Sequence, residues 1–253
     1  MIRIGLLGCG NIGHIIARHA EGFTIPAVFD TLPDRAREIA GICGGKDYSD
    51  FSEFLESDID IVVEAASVNA VRAHAQDILS RSKDLVIMSV GALADPAFKE
   101  GLVAVARKNR RKIYIPSGAI FGLDNLKIGQ ISPVTKLLLK TTKSPQSLGL
   151  DTTTDRRRIF SGKAHECIKS YPKNVNVSVA MGLAAGKDVD VELWVDPAAD
   201  KNTHEIFVEG GFGEAYIRVT NLPSPENPAT SYLAALSILS LLKNLDNPLV
   251  IGT

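Results

Sequence analysis

The residues best placed to do chemistry begin with three glycines close to the start of the sequence. Gly8, Gly10 and Gly13 stand in the spacing G-x-G-x-x-G, directly after the β-type segment IRIGLL. Gly8 allows a tight turn from strand to helix, Gly10 lets the backbone approach a pyrophosphate, and Gly13 lets the helix pack on the strand. The helix start at Asn11 and Ile12 offers free N–H groups to phosphates. The segment therefore predicts a dinucleotide-binding turn.

An acidic residue follows at the distance that such a site requires. Asp30 closes the next apolar segment, 20 residues after Gly10, where its carboxylate can accept hydrogen bonds from the adenine ribose. The same negative charge repels a 2′-phosphate, which favours NAD over NADP. Thr31 and Arg35 follow closely, and an arginine there can accommodate a 2′-phosphate, so NADP stays possible.

The second place for chemistry is a histidine, His204, in the segment DPAADKNTHEIFVEG. An unperturbed imidazole titrates near pH ~6.5 and can exchange protons around neutrality. His204 follows the polar run DKNT and heads a period-two segment, so we expect it at the rim of a sheet, facing a cleft. His14, His19 and His74 are expected to be packing or surface residues of helices. His165 has no second metal ligand near it in sequence, so we predict no metal site.

The elements that must position these residues alternate between strand and helix over the first half of the chain. The segments IDIVVEAAS, DLVIMSVGAL and KIYIPSG have the pattern of buried strands, separated by helical segments at 69–82 and 95–109. This alternation predicts the α/β class, with a Rossmann-type, doubly wound parallel sheet whose ligand lies beyond the carboxyl ends of the strands. Ala65, Ala66 and Ser67 end one strand, and we expect them to line the nicotinamide side of the groove.

The second half of the sequence is organised differently. Period-two alternation at 135–142 predicts an exposed-edge or half-buried strand, and at 189–197 and 204–223 it predicts antiparallel strands. Helical spacing is found at 161–172 and 174–186. These elements indicate a second, α+β domain for the substrate and for dimerisation.

The domain limits follow from this change of pattern. We predict a dinucleotide-binding domain at 1–118 and the α+β domain at 119–226. Apolar residues at helical spacing from Tyr232 to Leu245 predict a C-terminal helix within 227–253, returning to the first domain.

The composition excludes several classes of protein. The chain has 253 residues, 45% of them hydrophobic, and a net charge of −1. The basic runs at 156–158 and 107–112 contain no aromatics, so we interpret them as a solvated loop and a solvated helix end and expect no nucleic-acid partner. No apolar run approaches the roughly 18 residues of a membrane span, and the N-terminus is not a signal peptide. Three cysteines without C-x-x-C spacing fit reduced thiols in the cytoplasm.

Six segments, spread over essentially the whole chain, form a pattern that is more specific than a dinucleotide site. They are GLLGCGNIG, VVEAAS, PSGAIFGLDNL, YPKNVNVSVA, DVDVELWVDPAADKNTHEIFVEGGFGE and NLPSPENPATSYLAALS. The first is shared by many dehydrogenases, whereas NTHEI and NPATS are far more specific. Together the segments resemble the L-aspartate dehydrogenase family.

The resemblance implies an NAD(P)-dependent oxidative deamination of L-aspartate to iminoaspartate, then oxaloacetate and ammonia, feeding NAD biosynthesis, in a homodimer. It implies that His204 is the catalytic residue, because it matches the histidine of the family's N-x-H-E segment. It also implies that Ala119 and Asn174 contact the cofactor. One imidazole can serve as both acid and base in this reaction. Candidates to bind the two substrate carboxylates, which the sequence does not rank, are Lys163, Arg156–Arg158, Asn202, Thr230 and Ser231.

Two other functions remain open at this point. The first is another two-domain NAD(P)-dependent reductase of a small amino or oxo acid, similar to homoserine dehydrogenase or dihydrodipicolinate reductase. The second is a non-catalytic NAD(H)-binding redox sensor, which would leave the NTHEI segment unexplained. A panel of substrates with NAD and NADP separates these functions.

Overall fold

The computed structural model describes residues 1–151, 154–171, 176–224 and 227–252, with the backbone alone for 227–230. Contacts divide the chain into two compact units, Met1–Pro116 with Ala235–Thr253, and Ser117–Ala234. The sequence predicts domain limits after residues 118 and 226, and these limits stay predictions. Within the described ranges, no helix is long and apolar enough to span a bilayer.

The first unit is built around a six-stranded parallel sheet. Its strands are β1 Ile2–Leu7, β2 Phe23–Phe29, β3 Lys46–Tyr48, β4 Ile61–Glu64, β5 Asp84–Ile87 and β6 Ile113–Tyr114. Its helices are α1 Asn11–Arg18, α2 Pro33–Cys43, α3 Phe51–Glu56, α4 Val68–Ser80 and α5 Pro96–Asn109, with a 3-10 helix at Val90–Ala94. The strand order is β3-β2-β1-β4-β5-β6, and every neighbouring pair is parallel. This is the Rossmann order, reversing between β1 and β4, and it confirms the predicted fold class.

One predicted strand of this unit ends clearly earlier than expected. The strand predicted at 84–93 stops at Ile87, and Val90–Ala94 forms the 3-10 helix instead. Its residues Val90, Ala92 and Leu93 are buried. The periodicity of a short apolar run does not distinguish a strand from a buried helical turn, which is why the prediction was wrong there.

The C-terminal helix α9, Tyr232–Asn244, contributes its later part to the first unit. Ala235, Ile238, Leu239 and Leu242 are buried at helical spacing. Lys243 Nζ lies 3.0 Å from Oε2 of Glu21, which follows α1. The helix therefore returns to the first unit, as the fold prediction required.

The second unit contains a mixed five-stranded sheet. Its strands are β7 Val134–Lys143, β8 Arg157–Lys163, β9 Asp190–Val195, β10 Asn202–Gly210 and β11 Gly213–Asn221. Its helices are α6 Pro145–Leu148, α7 Ala164–Ser170 and α8 Asn176–Ala185, with a 3-10 helix at Asn125–Gln130 and a small strand pair, β12 Pro223–Ser224 with β13 Asn227–Ser231. The order is β11-β10-β7-β9-β8. β7 and β9 are parallel, and the other neighbours are antiparallel.

Three features of this sheet differ from the expectations. β7 is the central strand, so the edge alternative was wrong, whereas its alternating burial fits the half-buried alternative. β9, expected to be antiparallel, is antiparallel to β8 but parallel to β7. The arginine run is not a loop, because Arg157 and Arg158 open β8 and pair with β9. Periodicity shows that a segment is a strand, but its neighbours are chosen by tertiary packing, which also overrides weak β-propensity.

The sheet of the second unit has two chemically different faces, because side chains alternate along each strand. The inner face carries Leu137, Leu139, Val191, Ile206 and Val208, which form the core together with residues of α7 and α8. The outer face carries ion pairs between neighbouring strands: Lys136–Glu209 at 2.6 Å, Lys140–Glu205 at 3.1 Å and Arg158–Glu192 at 2.8 Å.

Candidate active site

At two of the three positions of the glycine turn, neighbouring backbone atoms leave no room for a side chain. Gly8 has a φ of +103°, and a Cβ there would lie 2.7 Å from the backbone of Ala65 and Ala66. A Cβ at Gly13 would overlap the carbonyl oxygen of Gly8. The turn after β1 can therefore pack against the end of β4 and against α1 only with glycine at both positions.

Gly10 is different, because nothing in the chain requires glycine there. A Cβ on Gly10 would meet no atom within 4 Å, and its backbone, with φ −83° and ψ −163°, is extended. The open space lies at the N-terminus of α1, next to the backbone of Asn11 and Ile12, and the first turn of that helix has no acidic residue. These residues fit the pyrophosphate of a dinucleotide.

Asp30 follows β2 directly and braces the glycine turn. Its Oδ2 accepts a hydrogen bond from the Cys9 N–H at 2.7 Å, and its Oδ1 accepts one from the Leu32 N–H at 2.9 Å. A carboxylate offers about four lone-pair positions, so Asp30 keeps acceptor capacity for ribose hydroxyls. Arg35 is exposed in the first turn of α2.

The loop after β4 is held by Glu64, a residue that the sequence reasoning missed. Glu64 is 1% exposed, and its Oε1 accepts hydrogen bonds from Ala66 N–H at 2.9 Å and Ser89 Oγ at 2.8 Å. Burial raises the pKa of Glu64, and these bonds oppose the rise. Ser67 Oγ accepts from the first turn of α4, so this hydroxyl acts as a helix cap. The sequence does contain a signal for Glu64, because an acidic residue inside the apolar segment IVVEAAS is unusual for a buried strand.

His204 lies inside the second unit's sheet. It is the third residue of β10, where it pairs with Thr141 of β7 and Val219 of β11. Its side chain is 6% exposed, and its Nδ1 lies 2.9 Å from Oγ1 of Thr141. The expectation that it heads the strand was wrong, because pairing of Asn202 with β11 starts β10 two residues earlier.

The surroundings of His204 change its proton affinity strongly. Burial lowers the pKa of His204 to about 3, and the positive charge of Lys143 acts in the same direction. The unperturbed value expected from the sequence is therefore not retained. Thr141 fixes the ring, so the imidazole is an oriented, neutral proton acceptor.

A buried amide lies on the strand next to His204. Asn221, at the end of β11, is 3% exposed and donates from Nδ2 to the carbonyl oxygen of Ala119 at 3.1 Å. Its Oδ1 accepts a hydrogen bond from Ser231 Oγ at 2.7 Å. Ala119 is thereby held in the same unit as His204. Asn174 lies outside the described residues.

Most cationic residues suggested for the substrate carboxylates are paired elsewhere. Ion pairs join Lys163 to Asp190 at 2.6 Å, Arg158 to Glu192 at 2.8 Å and Arg156 to Asp196 at 3.6 Å. Lys163 and Arg158 lie on the outer face, opposite His204. Asn202 instead lines a polar cleft with Ser144, Ser147 and Asn221. Among the side chains that the structure describes, no group of three or more His, Cys, Asp or Glu could hold a metal ion.

Comparison with known proteins identifies the family. Residues 8–116 match the family model "Homoserine dehydrogenase, NAD binding domain", and residues 124–245 match "Aspartate dehydrogenase, C-terminal". The L-aspartate dehydrogenase of Methanospirillum hungatei is 63% identical over 253 residues, covering 100% of both chains. The chain belongs to the L-aspartate dehydrogenase family.

Further members of the family are similar along their whole length. The L-aspartate dehydrogenase of Methanothermobacter thermautotrophicus is 40% identical, covering 100% of this chain and 99% of its own. The crystal structure of the aspartate dehydrogenase from Thermotoga maritima superimposes with a TM-score of 0.82, at 29% identity and 100% coverage of both chains. The resemblance predicted from six segments is confirmed: the chain is an amino-acid dehydrogenase with a nicotinamide-binding domain.

Proposed function

We propose that this protein oxidises L-aspartate to iminoaspartate with a nicotinamide cofactor, and that water then converts the imine to oxaloacetate and ammonia. The observation that carries the proposal is His204, a buried, neutral imidazole oriented by Thr141. Its segment belongs to a chain that shares 63% identity with an L-aspartate dehydrogenase over the full length.

The first unit supplies most of the proposed cofactor contacts. Gly8, Gly10 and Gly13 make room for the pyrophosphate, which the N–H groups at the start of α1 bind. Asp30 binds the adenine ribose. Asn11 and Ile12 belong to this helix start. Ala65, Ala66 and Ser67 are proposed for the nicotinamide side, and Ala119 and Asn174 are proposed as further contacts to the cofactor.

The proton transfers are assigned to His204. When bound, the nicotinamide ring accepts the hydride from Cα of the substrate. Donation from His204 Nδ1–H to Thr141 Oγ1 leaves Nε2 free, and Nε2 takes the proton from the substrate ammonium. The amine lone pair can then form the C=N bond as hydride leaves. His204 releases this proton to solvent, and the neutral imidazole then takes a proton from the attacking water and returns it to the amine nitrogen, which departs as ammonia.

The low proton affinity of His204 suits this sequence of steps. In the free enzyme, burial and Lys143 keep the imidazole neutral. Bound L-aspartate brings two carboxylates, and nearby negative charge favours the imidazolium. The substrate itself thus raises the pKa of His204 at the moment when a proton must be accepted.

The activity assay follows the absorbance of the reduced cofactor. We expect turnover with L-aspartate and NAD⁺, and little with L-glutamate, L-malate or L-homoserine. A preference for L-homoserine would place the enzyme with the related reductases. Cofactor binding without turnover of any of these substrates would favour the redox sensor.

We propose that NAD is the preferred cofactor, and Asp30→Ala tests this. Loss of charge-assisted hydrogen bonds to the ribose should weaken NAD binding by roughly 10- to 100-fold. NADP binding should weaken less than NAD binding or improve, because the charge that repels the 2′-phosphate is gone, whereas loss of the bond to the Cys9 N–H affects both cofactors alike. Titration calorimetry with both cofactors measures the two affinities.

A matched control is Asp34→Ala, which removes an exposed carboxylate of α2 that pairs with Arg37 at 3.1 Å. It should leave both affinities unchanged. Unchanged NAD affinity in Asp30→Ala would remove Asp30 from the ribose site.

We also propose a homodimer that acts in the cytoplasm. The strands of the second unit and the apolar C-terminal segment offer surface for association; Tyr216 is 53% exposed on β11 and Ile251 is 88% exposed. The cysteines Cys9, Cys43 and Cys167 are free thiols, as a reducing compartment favours. Light scattering at micromolar concentration should give twice the mass of the chain, and a monomer throughout that range would contradict the dimer.

A further inference from the structure

We propose that Lys143 supplies the positive charge that binds a carboxylate of the substrate beside His204. The inference rests on the proposed oxidation of L-aspartate, which carries two carboxylates. It assigns one binding residue that the sequence did not identify.

The register of the sheet places Lys143 on the face of His204. Thr141 of β7 is directly opposite His204, so both side chains lie on the same face. Lys143 comes two residues after Thr141 on the same strand and therefore faces the same way. Leu137 and Leu139, also at odd positions of β7, form the apolar core of this inner face.

A charged lysine loses solvation at this position. It is half-buried, and its partner across the β7–β9 pair is Val195, which is 0% exposed. Burial lowers the pKa of Lys143, because a charge in apolar surroundings loses solvation. A carboxylate bound beside Lys143 would favour its charged form.

Lys143 and His204 also act on each other electrostatically. The charge of Lys143 is one cause of the low pKa of His204. A carboxylate bound to Lys143 would therefore lie within electrostatic reach of the imidazole. This brings the anionic end of the substrate and the proton acceptor to the same end of the sheet.

Other cations of this sheet are less well placed. Lys136, Lys140 and Lys163 lie on the outer face in ion pairs with Glu209, Glu205 and Asp190. Arg157 pairs with Val195 and faces inward, but it is exposed on β8. β8 is three strands from β10, about 14 Å at the usual strand spacing. Lys143, on the strand next to His204, is closer.

The surface beyond Lys143 is polar. Ser144 and Ser147 follow Lys143 in the chain and line a small cleft, whose other polar residues are Asp200, Lys201, Asn202 and Asn221. These residues stand where β7 and β11 end and β10 begins. Asn202 lies two residues before His204 on β10 and faces the same way, so the cleft continues the polar end of the inner face.

The test compares Lys143→Met and Lys143→Gln with the parental enzyme at saturating NAD⁺. Loss of a charge-assisted contact should raise the KM for L-aspartate by roughly 10- to 100-fold. The kcat should change much less, and the Kd for NAD should stay parental. Lys143→Arg keeps the charge and should recover part of the KM increase.

The matched control is Lys140→Met, the same change three residues earlier, on the outer face. Its KM, kcat and Kd should stay parental.

Three results would overturn the assignment. An unchanged KM in Lys143→Gln, with an active parental enzyme, overturns the role of Lys143 and leaves the proposed function intact. A collapse of kcat at unchanged KM assigns Lys143 to the chemical step instead of to substrate binding. A parental enzyme that does not oxidise L-aspartate overturns the proposed function and this inference with it. If Lys143→Met does not fold, Lys143→Gln decides by the same readout.

Discussion

His204→Asn should lower the turnover of L-aspartate by roughly 10²–10⁴, the usual contribution of a positioned acid–base group. Asparagine keeps a polar side chain of similar reach, but it cannot take up a proton near neutral pH. His204→Ala should show the same loss. Cofactor affinity should remain near parental in both variants, because the nucleotide contacts proposed for the first unit are unchanged. Steady-state kinetics and NADH fluorescence titration measure the two quantities.

The pH dependence makes this prediction sharper. His204 must be neutral to accept a proton, and its pKa in the free enzyme is lowered to about 3. The neutral form therefore persists as the pH falls. Protonation of His204 should not lower kcat/KM in the pH range where an ordinary imidazole titrates. The kcat reports the substrate complex, in which the pKa of His204 is expected to be higher. Protonation of His204 should therefore lower kcat at a higher pH than it lowers kcat/KM, and this decrease should be absent in His204→Asn.

The matched control is His165→Asn, an exposed histidine of the same unit that pairs with Asp188 at 2.8 Å. It should keep parental turnover. Near-parental turnover in His204→Asn, or a parallel loss of cofactor binding, would show that His204 is structural and that another group carries the proton.

Gly10→Val should abolish tight cofactor binding while the protein still folds. A side chain at Gly10 enters space that no atom of the chain occupies, so the apo fold tolerates it. The same space is where the pyrophosphate must approach the N-terminus of α1. We expect the Kd for NAD to rise roughly 100-fold or more, since phosphate binding at a helix N-terminus needs this close approach. Calorimetry measures the Kd, and circular dichroism checks the fold.

Gly41→Val is the control for Gly10→Val. Gly41 lies on the exposed side of α2, and its Cβ would also meet no atom within 4 Å. This variant should bind NAD like the parental enzyme. Parental NAD affinity in Gly10→Val would be incompatible with a pyrophosphate at this turn.

The parts of the site that the sequence predicted depend on local geometry. Gly8, Gly10, Gly13 and Asp30 belong to one strand–helix–strand segment, where spacing along the chain determines spacing in the structure. His204 came from the resemblance, since its local sequence did not decide between a surface and a catalytic residue.

The parts that the sequence did not predict depend on strand pairing. Thr141 and His204 are 63 residues apart in the chain, and only the register of β7 against β10 brings them together. The registers of β7 and of β8 against β9 place Lys143 and Lys163 on opposite faces of the sheet. A shift of one residue would exchange the two faces. The alternation within one strand shows which of its residues share a face, but it does not show which strand lies beside it. The low pKa of His204 is also a property of burial and of a neighbour distant in sequence.

The position of α9 has a consequence for the order in which the protein becomes complete during synthesis. Domains generally fold as units as the chain leaves the ribosome, the N-terminal one first. Here the unit that holds the glycine turn also needs the residues from Ala235 on, which emerge only after the whole second unit. The second unit is continuous and can finish earlier, while the sites for Ile238 and Leu242 in the first unit stay uncovered. A released chain that ends just before Ala235 would therefore contain the whole second unit and an incomplete first unit. The unit whose synthesis begins first is the one that is completed last.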